Sequence, residues 1–371
     1  MKGKYLFLLL IMIAAAGCRE QYDPKVKSLE QSFLVVEANL NPGPDSTDVF
    51  LTKTLKLSDP QSVKVEANAN VIVEGEDNSA GILNNIGGGH YYSNNLNLTI
   101  GTKYRLRIQT FDGKEYLSDY VTARVTPPID SIGLDRTPDG ATIYVNTSDP
   151  ANATRYYRWE YDETWEINSY FYSQYIYENG GIRPRNLPSE DVYQCWKYAT
   201  ATSIRLANSI RLQNDVIYKA KLVDIPSGSD KLSVRYSILA KQYALDREAY
   251  NFYEQLKRNT EEVGGLFTPL PSELTGNIKC LTDPTLFVIG YVTASTIQQK
   301  RVFFNHIPWD FRQFCETKEV PDNPDSIRVF FSGGLYMPYA YNPFPPTYYG
   351  STDGCVDCRT RGGTKLKPSY W

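Results

Sequence analysis

Apolar and polar residues alternate along much of the sequence between residues 31 and 126, and this alternation predicts short β-strands. In the clearest case, Tyr104, Leu106 and Ile108 face one way and charged residues face the other. An Asp-Gly pair at 112–113 follows them and is a strong local signal for a hairpin turn. A succession of short strands separated by turn residues is typical of a sandwich of immunoglobulin or fibronectin type. We therefore predict an N-terminal β-sandwich domain over residues 31–126.

A Thr-Pro-Pro sequence at 126–128 interrupts this pattern and marks the predicted domain boundary. The following residues, 127–371, resume the strand-like alternation and predict a larger β-rich domain. One helix is predicted near 246–259, where Asp246 is a good N-cap and apolar residues follow at helical spacing. After Trp309 the sequence is rich in Pro, Gly, Cys and Tyr and predicts an irregular tail. The predicted fold class is all-β, with this one notable helix.

The highest density of aromatic residues falls at 156–177, which holds seven Tyr, two Trp and one Phe. Because the side chains of a strand alternate between two faces, about half of these rings must point away from any single core. Exposed rings in such number usually mark an interface, whereas packing within the core of a sandwich is the competing explanation. We predict that part of this segment contacts a partner or a ligand, with Trp159 or Trp165 as the anchor. The candidate binding residues are Tyr157, Trp159, Tyr161 and Trp165.

The first 17 residues predict a bacterial signal peptide. Lys2 and Lys4 precede an apolar run that is too short to span a membrane, and small residues lead from this run into Cys18. This arrangement is typical of a lipoprotein, which is cleaved before the cysteine and acylated on it; an ordinary secretory signal is the alternative. Residues 18–30 are polar and predict a spacer between the acyl chains and the fold. We therefore expect Cys18 to anchor the protein in a lipid bilayer.

The charge balance argues against one class of partner. Lys and Arg number 39 and Asp and Glu number 42, which gives a net charge of −3. Removal of the signal peptide takes away two lysines and makes the charge more negative. A chain without a basic field lacks the electrostatic footprint of a nucleic-acid-binding protein. We therefore expect no nucleic-acid partner.

Five cysteines remain after Cys18, and export makes disulfides their expected state. Their odd number leaves one thiol free. We expect a tail cysteine to pair with Cys315 and, as a second choice, Cys195 to pair with Cys280. The candidate disulfide residues are Cys195, Cys280, Cys315, Cys355 and Cys358.

The CxxC sequence at 355–358 also permits two other interpretations. A zinc site would need two more ligands, for which Cys315 and His306 are the nearest candidates. A thioredoxin-like redox motif would open a helix within a βαβ unit, and the surrounding sequence has no such pattern. A structural disulfide is therefore favoured, and no metal is expected.

No catalytic motif stands out. The nucleophile elbow, the zinc-protease motif, the phosphate loop and the dinucleotide fingerprint are all absent from the sequence. His90 and His306 are the only histidines, so a catalytic triad has almost no candidate base. Asp162 and Glu163 lie in the aromatic segment, but adjacent residues of a strand point to opposite faces. We expect neither an enzyme nor a bound cofactor, with a carboxylate pair of the glycosidase type as the alternative.

Several strings of the sequence together resemble one family of Bacteroidota lipoproteins, catalogued as domain of unknown function four-two-four-nine. The resemblance covers nearly the whole chain after the signal peptide, and its most specific parts are the tail and the strings around 264–278. The strings are Ala15-Ala-Gly-Cys18, Ser32-Phe-Leu-Val-Val-Glu-Ala-Asn39, Tyr157-Arg-Trp-Glu-Tyr161, Tyr236-Ser-Ile-Leu-Ala-Lys-Gln-Tyr243, Gly264-Gly-Leu-Phe267, Gly276-Asn-Ile278 and Cys355-Val-Asp-Cys-Arg359.

The resemblance implies an outer-membrane lipoprotein that is encoded beside a TonB-dependent receptor and serves as an accessory subunit in nutrient uptake. No catalytic residues are established for the family, so none are carried over. Surface-exported lipoproteins of this phylum often have an acidic run after the lipidated cysteine, whereas this chain has Arg19-Glu-Gln21. The cell surface is still favoured over the periplasmic face, and a glycan or a peptide is the expected ligand. A surface hydrolase acting on polysaccharide or peptide and a structural envelope lipoprotein are the two alternatives.

Overall fold

The structure is a computed structural model, and about 51% of the chain is strand and 11% helix. The predicted all-β class is therefore confirmed. The signal peptide, Cys18, the spacer at 18–30, the glycine-containing string at 264–267 and His306 lie outside the described residues. The described residues are 32–55, 64–94, 96–261, 274–305 and 307–371.

The N-terminal body is one large sheet that curls into a nearly closed, barrel-like shape with a sandwich-like core. The alternation of the sequence determines which side chains fill it, because Tyr104, Leu106 and Ile108 are all buried there. The Asp-Gly turn at 112–113 joins two antiparallel strands as predicted. The strands before residue 126 are β1 (Leu34–Leu40), β2 (Thr47–Lys53), β3 (Lys64–Val65), β4 (Asn70–Gly75), β5 (Ala80–Gly87), β6 (His90–Ser93), β7 (Lys103–Gln109), β8 (Glu115–Ser118) and β9 (Val121–Thr122).

The predicted boundary of this body needs a correction, because residues 31–126 do not complete it. Two later strands, β19 (Ile278–Cys280) and β20 (Val288–Ala294), return to it. The first pairs with β8 and the second runs parallel to β1. The side chain of Asn277 joins the two strands by donating to the carbonyl of Val292 at 2.9 Å and accepting from its N–H at 2.8 Å. The added strands satisfy backbone groups that would otherwise form open sheet edges.

The second body is built around two sheets that pack face to face over an aromatic-rich core. The three-stranded sheet contains β10 (Ile129–Thr137), β11 (Gly140–Asp149) and β17 (Asp215–Pro226). The other sheet contains β12 (Tyr156–Asn168), β15 (Gln194–Thr200), β16 (Arg205–Asn208), β18 (Arg235–Leu245) and β21 (Ile297–Asn305). A separate hairpin consists of β13 (Tyr175–Glu178) and β14 (Gly181–Pro184).

The predicted helix near 246–259 is present as α1 (Arg247–Glu261). Its N-terminus is capped as expected, because the Asp246 carboxylate accepts a hydrogen bond from the Ala249 N–H at 2.8 Å. The apolar face of the helix lies against the second body, and the ring of Phe252 also lies 5.4 Å from that of Tyr291 in the N-terminal body. The helix therefore helps to hold the two bodies together.

The tail is only partly irregular, because residues 307–317 and most residues after 361 lie outside helices and strands, whereas most residues between them do not. The prediction of an irregular tail after Trp309 therefore holds only for those two stretches. Between them a small sheet and a helix form around an apolar cluster of their own, and some of the Pro and Gly residues occupy a helix start and turns. Asn323, for example, caps a helix that begins with Pro324, and its side chain accepts from the Ser326 N–H. The tail elements are β22 (Lys318–Pro321), α2 (Pro324–Phe331), β23 (Tyr336–Pro343), β24 (Pro346–Thr352) and α3 (Asp353–Val356).

Two disulfides fasten the tail. Cys315 pairs with Cys355, which is the expected bond between Cys315 and a tail cysteine. The expected pair of Cys195 with Cys280 was wrong, because Cys195 pairs with Cys358. Cys280 is a free, buried thiol in the core of the N-terminal body, away from the sheet that carries Cys195. Because the two CxxC sulfurs belong to different disulfides, neither the zinc nor the redox interpretation of that motif applies.

Candidate functional site

The four aromatic residues predicted to bind a partner line the inner face of β12. Tyr157 is 0%, Trp159 1%, Tyr161 5% and Trp165 8% exposed. All four belong to the core between the two sheets of the second body. The three-stranded sheet covers this face, so the rings have no access to a partner.

The polar atoms of these rings are also used inside the protein. The Trp159 indole N–H donates to Gln242 Oε1 at 2.7 Å, and the Trp165 indole N–H donates to Asp230 Oδ1 at 3.0 Å. The Tyr157 hydroxyl donates to Asp215, and burial together with this carboxylate raises the pKa of Tyr157. The prediction that Trp159 or Trp165 anchors a partner was therefore wrong.

Aromatic rings do reach the surface a few residues later in the same segment. β12 ends at Asn168, and the chain then turns away from the core so that Tyr170 and Tyr172 are 58% and 47% exposed. Tyr170 lies at the rim of an open cleft of about 610 Å³. We call this the aromatic cleft; its main lining residues are Asn168, Tyr170, Ser233, Phe311, Gln313 and Phe314.

The wall of the aromatic cleft is fixed to the tail. Cys315 ends the wall segment and is bonded to Cys355. Gln313 Nε2 donates to the carbonyl of Gly354 at 2.7 Å, which ties the same segment down a second time. Phe314 stands between these two attachments and is 99% exposed. The cleft thus presents a ring to solvent on a backbone that is held at both sides.

Polar groups lie among the rings of the cleft. The side-chain oxygen of Asn168 is buried and has no hydrogen-bond partner among the described residues. Its backbone carbonyl accepts from the guanidinium of Arg361, whose pKa is lowered by burial. An unsatisfied buried acceptor costs free energy, so Asn168 contributes a strained polar group beneath the cleft, while Ser233 and Gln313 supply polar side chains in its lining.

The aromatic surface continues beyond the cleft. Tyr170 contacts Phe171 with the ring centroids 4.8 Å apart, and Phe171 stacks on Tyr339 at 4.1 Å. Tyr339 in turn lies 6.3 Å from Tyr349 on the neighbouring strand. A row of four rings therefore leads from the cleft across the tail sheet.

The carboxylates of β12 do not form a catalytic pair. Glu163 is buried, where Lys231 Nζ contacts both of its oxygens at 2.7 Å and the Tyr236 hydroxyl donates to it at 2.6 Å. Asp162 faces the opposite way and pairs with Lys241 at 2.9 Å. Within the described ranges, no group of three or more His, Cys, Asp or Glu residues could hold a metal ion.

Sequence reasoning singled out the aromatic segment, but the four rings it chose within that segment are buried. Tyr170 was within the segment, and its position after the end of the alternating pattern was the available signal. Phe311, Phe314 and Asn168 were missed, because they meet only when the tail folds back onto the end of β12.

Comparison with known families adds one result. A family described as Domain of unknown function (DUF4249) matches residues 19–301. The chain belongs to this family. The match confirms the resemblance over these residues, which include β12, Tyr170 and α1. It does not extend to the tail, which was counted above among the most specific parts of the resemblance, nor to Phe311 and Phe314. No curated protein matches the chain. In the part of this DUF4249 member that the structure describes, no helix is both long and apolar enough to cross a membrane.

Proposed function

We propose that the protein is a non-catalytic lipoprotein of the outer membrane that captures a ligand for a TonB-dependent receptor. The observation that carries this proposal is the aromatic cleft, in which the exposed rings of Tyr170 and Phe314 lie beside polar side chains. Membership in DUF4249 supports it through the resemblance described above, which implies an accessory role in nutrient uptake. Acylation of Cys18 would keep the cleft close to the receptor.

The cleft suits a glycan or a peptide. Tyr and Phe rings offer flat apolar faces to the C–H groups of a sugar or to the side chains of a peptide. Asn168, Ser233 and Gln313 supply both donors and acceptors beside those rings. A volume of about 610 Å³ lies within the usual range of small-ligand sites. The row of rings toward Tyr349 would extend the contact for a longer chain.

The experiment measures ligand uptake with variants of the exposed rings, beside affinity purification of the receptor from native membranes. We expect Tyr170→Ala combined with Phe314→Ala to lower ligand uptake by about tenfold or more, with receptor recovery unchanged, since truncated anchor rings typically cost about 2 kcal/mol. The matched control is Phe111→Ala, because Phe111 is 85% exposed on a turn of the N-terminal body. Mass spectrometry of the recovered complex identifies the receptor.

Equal uptake with the double variant and the control would contradict the proposed role of the cleft. Recovery of no transporter at all would favour the structural envelope lipoprotein. Turnover of a polysaccharide or a peptide by the purified chain would favour the surface hydrolase.

A further inference from the structure

A second cleft lies between α1 and the loop that follows β16, at the start of β12, whereas the aromatic cleft lies at the end of that strand. Its volume is about 600 Å³. We call it the arginine cleft; the residues that matter for its chemistry are Tyr156, Arg211, Arg247, Tyr250, Asn251 and Glu254. Arg247, Tyr250, Asn251 and Glu254 line one face of the helix, and the loop supplies Arg211 from the opposite wall.

The arginine cleft has more donors than acceptors. Arg211 forms no ion pair and no hydrogen bond with any described residue, and neither does the side chain of Asn251. Arg247 has one neutral partner, the Tyr156 hydroxyl, at 3.3 Å. The one carboxylate of the cleft, Glu254, is already paired with Arg258 at 3.1 Å. Neither guanidinium therefore forms an ion pair with a described residue, although the Glu248 carboxylate lies near Arg247.

Hydrogen bonds hold the backbone of the loop that carries Arg211. Arg155 donates to the backbone carbonyls of Leu212 and Gln213 at 3.3 and 3.2 Å. The Leu212 N–H closes a turn onto the carbonyl of Ser209 at 2.9 Å. Because neighbouring backbone groups are bonded, the backbone that carries Arg211 is held at the cleft, and less of the loop has to be ordered when a ligand binds.

The floor of the arginine cleft is aromatic. The rings of Tyr156 and Tyr250 lie 5.1 Å apart, and Asn208 fixes the Tyr250 hydroxyl by donating to it at 2.9 Å. Ile210 is half exposed at the rim and adds an apolar edge. A ligand that reaches both arginines would therefore rest part of its body on an apolar surface.

We propose that the arginine cleft binds a small carboxylated ring compound of the sugar-acid class. Guanidinium groups match the two oxygens of a carboxylate, so Arg211 and Arg247 hold that end. The ring lies over Tyr156 and Tyr250, and its hydroxyls reach the amide of Asn251 and the carboxylate of Glu254. This site is separate from the aromatic cleft and does not depend on the function proposed for it.

The test is calorimetric titration of the purified full chain with glucuronate, glucose, acetate and inorganic phosphate. We expect saturable binding of glucuronate, and binding of each other probe at least about tenfold weaker, because a charged hydrogen bond and the ring contact each contribute on that scale. Arg211→Ala and Arg247→Ala should each weaken glucuronate binding by about tenfold or more. Both residues are exposed, so neither substitution should change the thermal midpoint.

The matched control is Arg136→Ala, because Arg136 is an exposed arginine on β10 that has no ion pair with any described residue. Unchanged glucuronate binding in this variant, with loss in the two others, supports the proposal. The proposal is wrong if glucuronate shows no saturable binding, or if the three variants bind it equally. It is also wrong if glucose, acetate or phosphate binds as tightly as glucuronate, because the site would then not require both the carboxylate and the ring.

Discussion

Strand β12 and the wall of the aromatic cleft are both rich in aromatic residues, but they differ in what covers them. The inner rings of β12 are sealed by a second sheet, and Trp159 is 1% exposed. Phe314 in the cleft wall is 99% exposed, on a segment that a disulfide and a hydrogen bond hold in place. An aromatic residue is therefore evidence for a binding surface only when no other layer of the fold lies over it.

Buried and exposed rings also differ in whether they contribute to the stability of the fold or to binding. A ring in the core contributes apolar area and packing contacts that are lost when it is truncated. A fully exposed ring contributes almost nothing to folding and is free to contact a partner. The two regions should consequently respond in opposite ways to the same kind of substitution.

The largest expected effect is that of Trp159→Ala on the stability of the second body. We expect the free energy of unfolding to fall by about 3–5 kcal/mol, the usual cost of removing a large buried aromatic side chain. Urea unfolding measures this change, and Trp159→Phe is the control that keeps a ring and should lose less. A stable Trp159→Ala protein with impaired receptor recovery or ligand uptake would contradict this expectation, because the ring would then act as a binding anchor and not as part of the core.

A smaller effect is expected from opening either disulfide with paired Cys→Ser substitutions. Each should lower the free energy of unfolding by about 2–4 kcal/mol, and the pair Cys195 and Cys358 should lose more, because it closes a longer loop. The sequence separations are 163 residues for that pair and 40 for Cys315 and Cys355.

The two disulfide pairs should differ in their effect on the cleft. Only the substitutions at Cys315 and Cys355 should impair ligand uptake beyond the loss of folded protein, because that bond holds the cleft wall. Denaturant curves and uptake measurements on the same variants separate the two effects. Equal losses of uptake for both pairs at equal folded fraction would show that the wall does not depend on this bond.

The smallest effect on stability is expected for Phe314→Ala. Its free energy of unfolding should stay within about 0.5 kcal/mol of the parent protein, as is usual for exposed side chains. Thermal melting measures this directly, with Phe111→Ala as a second exposed ring. A large loss of stability at Phe314 would mean that the ring packs against the fold, and the contrast with Trp159 would disappear.

Local patterns in the sequence were sufficient to predict individual strands and the helix α1. Alternation placed Tyr104, Leu106 and Ile108 in a core, and Asp246 marked the start of α1. Such features depend on residues within one strand or one turn of helix, so neighbouring residues carry the information. The all-β class and the DUF4249 family follow from many such local strings.

The tertiary structure alone decided which of these elements meet. In the folded protein β20 pairs with β1, Cys195 is bonded to Cys358, and a second sheet packs on the aromatic face of β12. The tertiary structure also brings Phe314 to the end of β12 and Arg211 to α1. Alternation reports that a strand has two different faces, but burial depends on the layer that packs against each face. That layer comes from residues far away in the chain, and no local pattern encodes it.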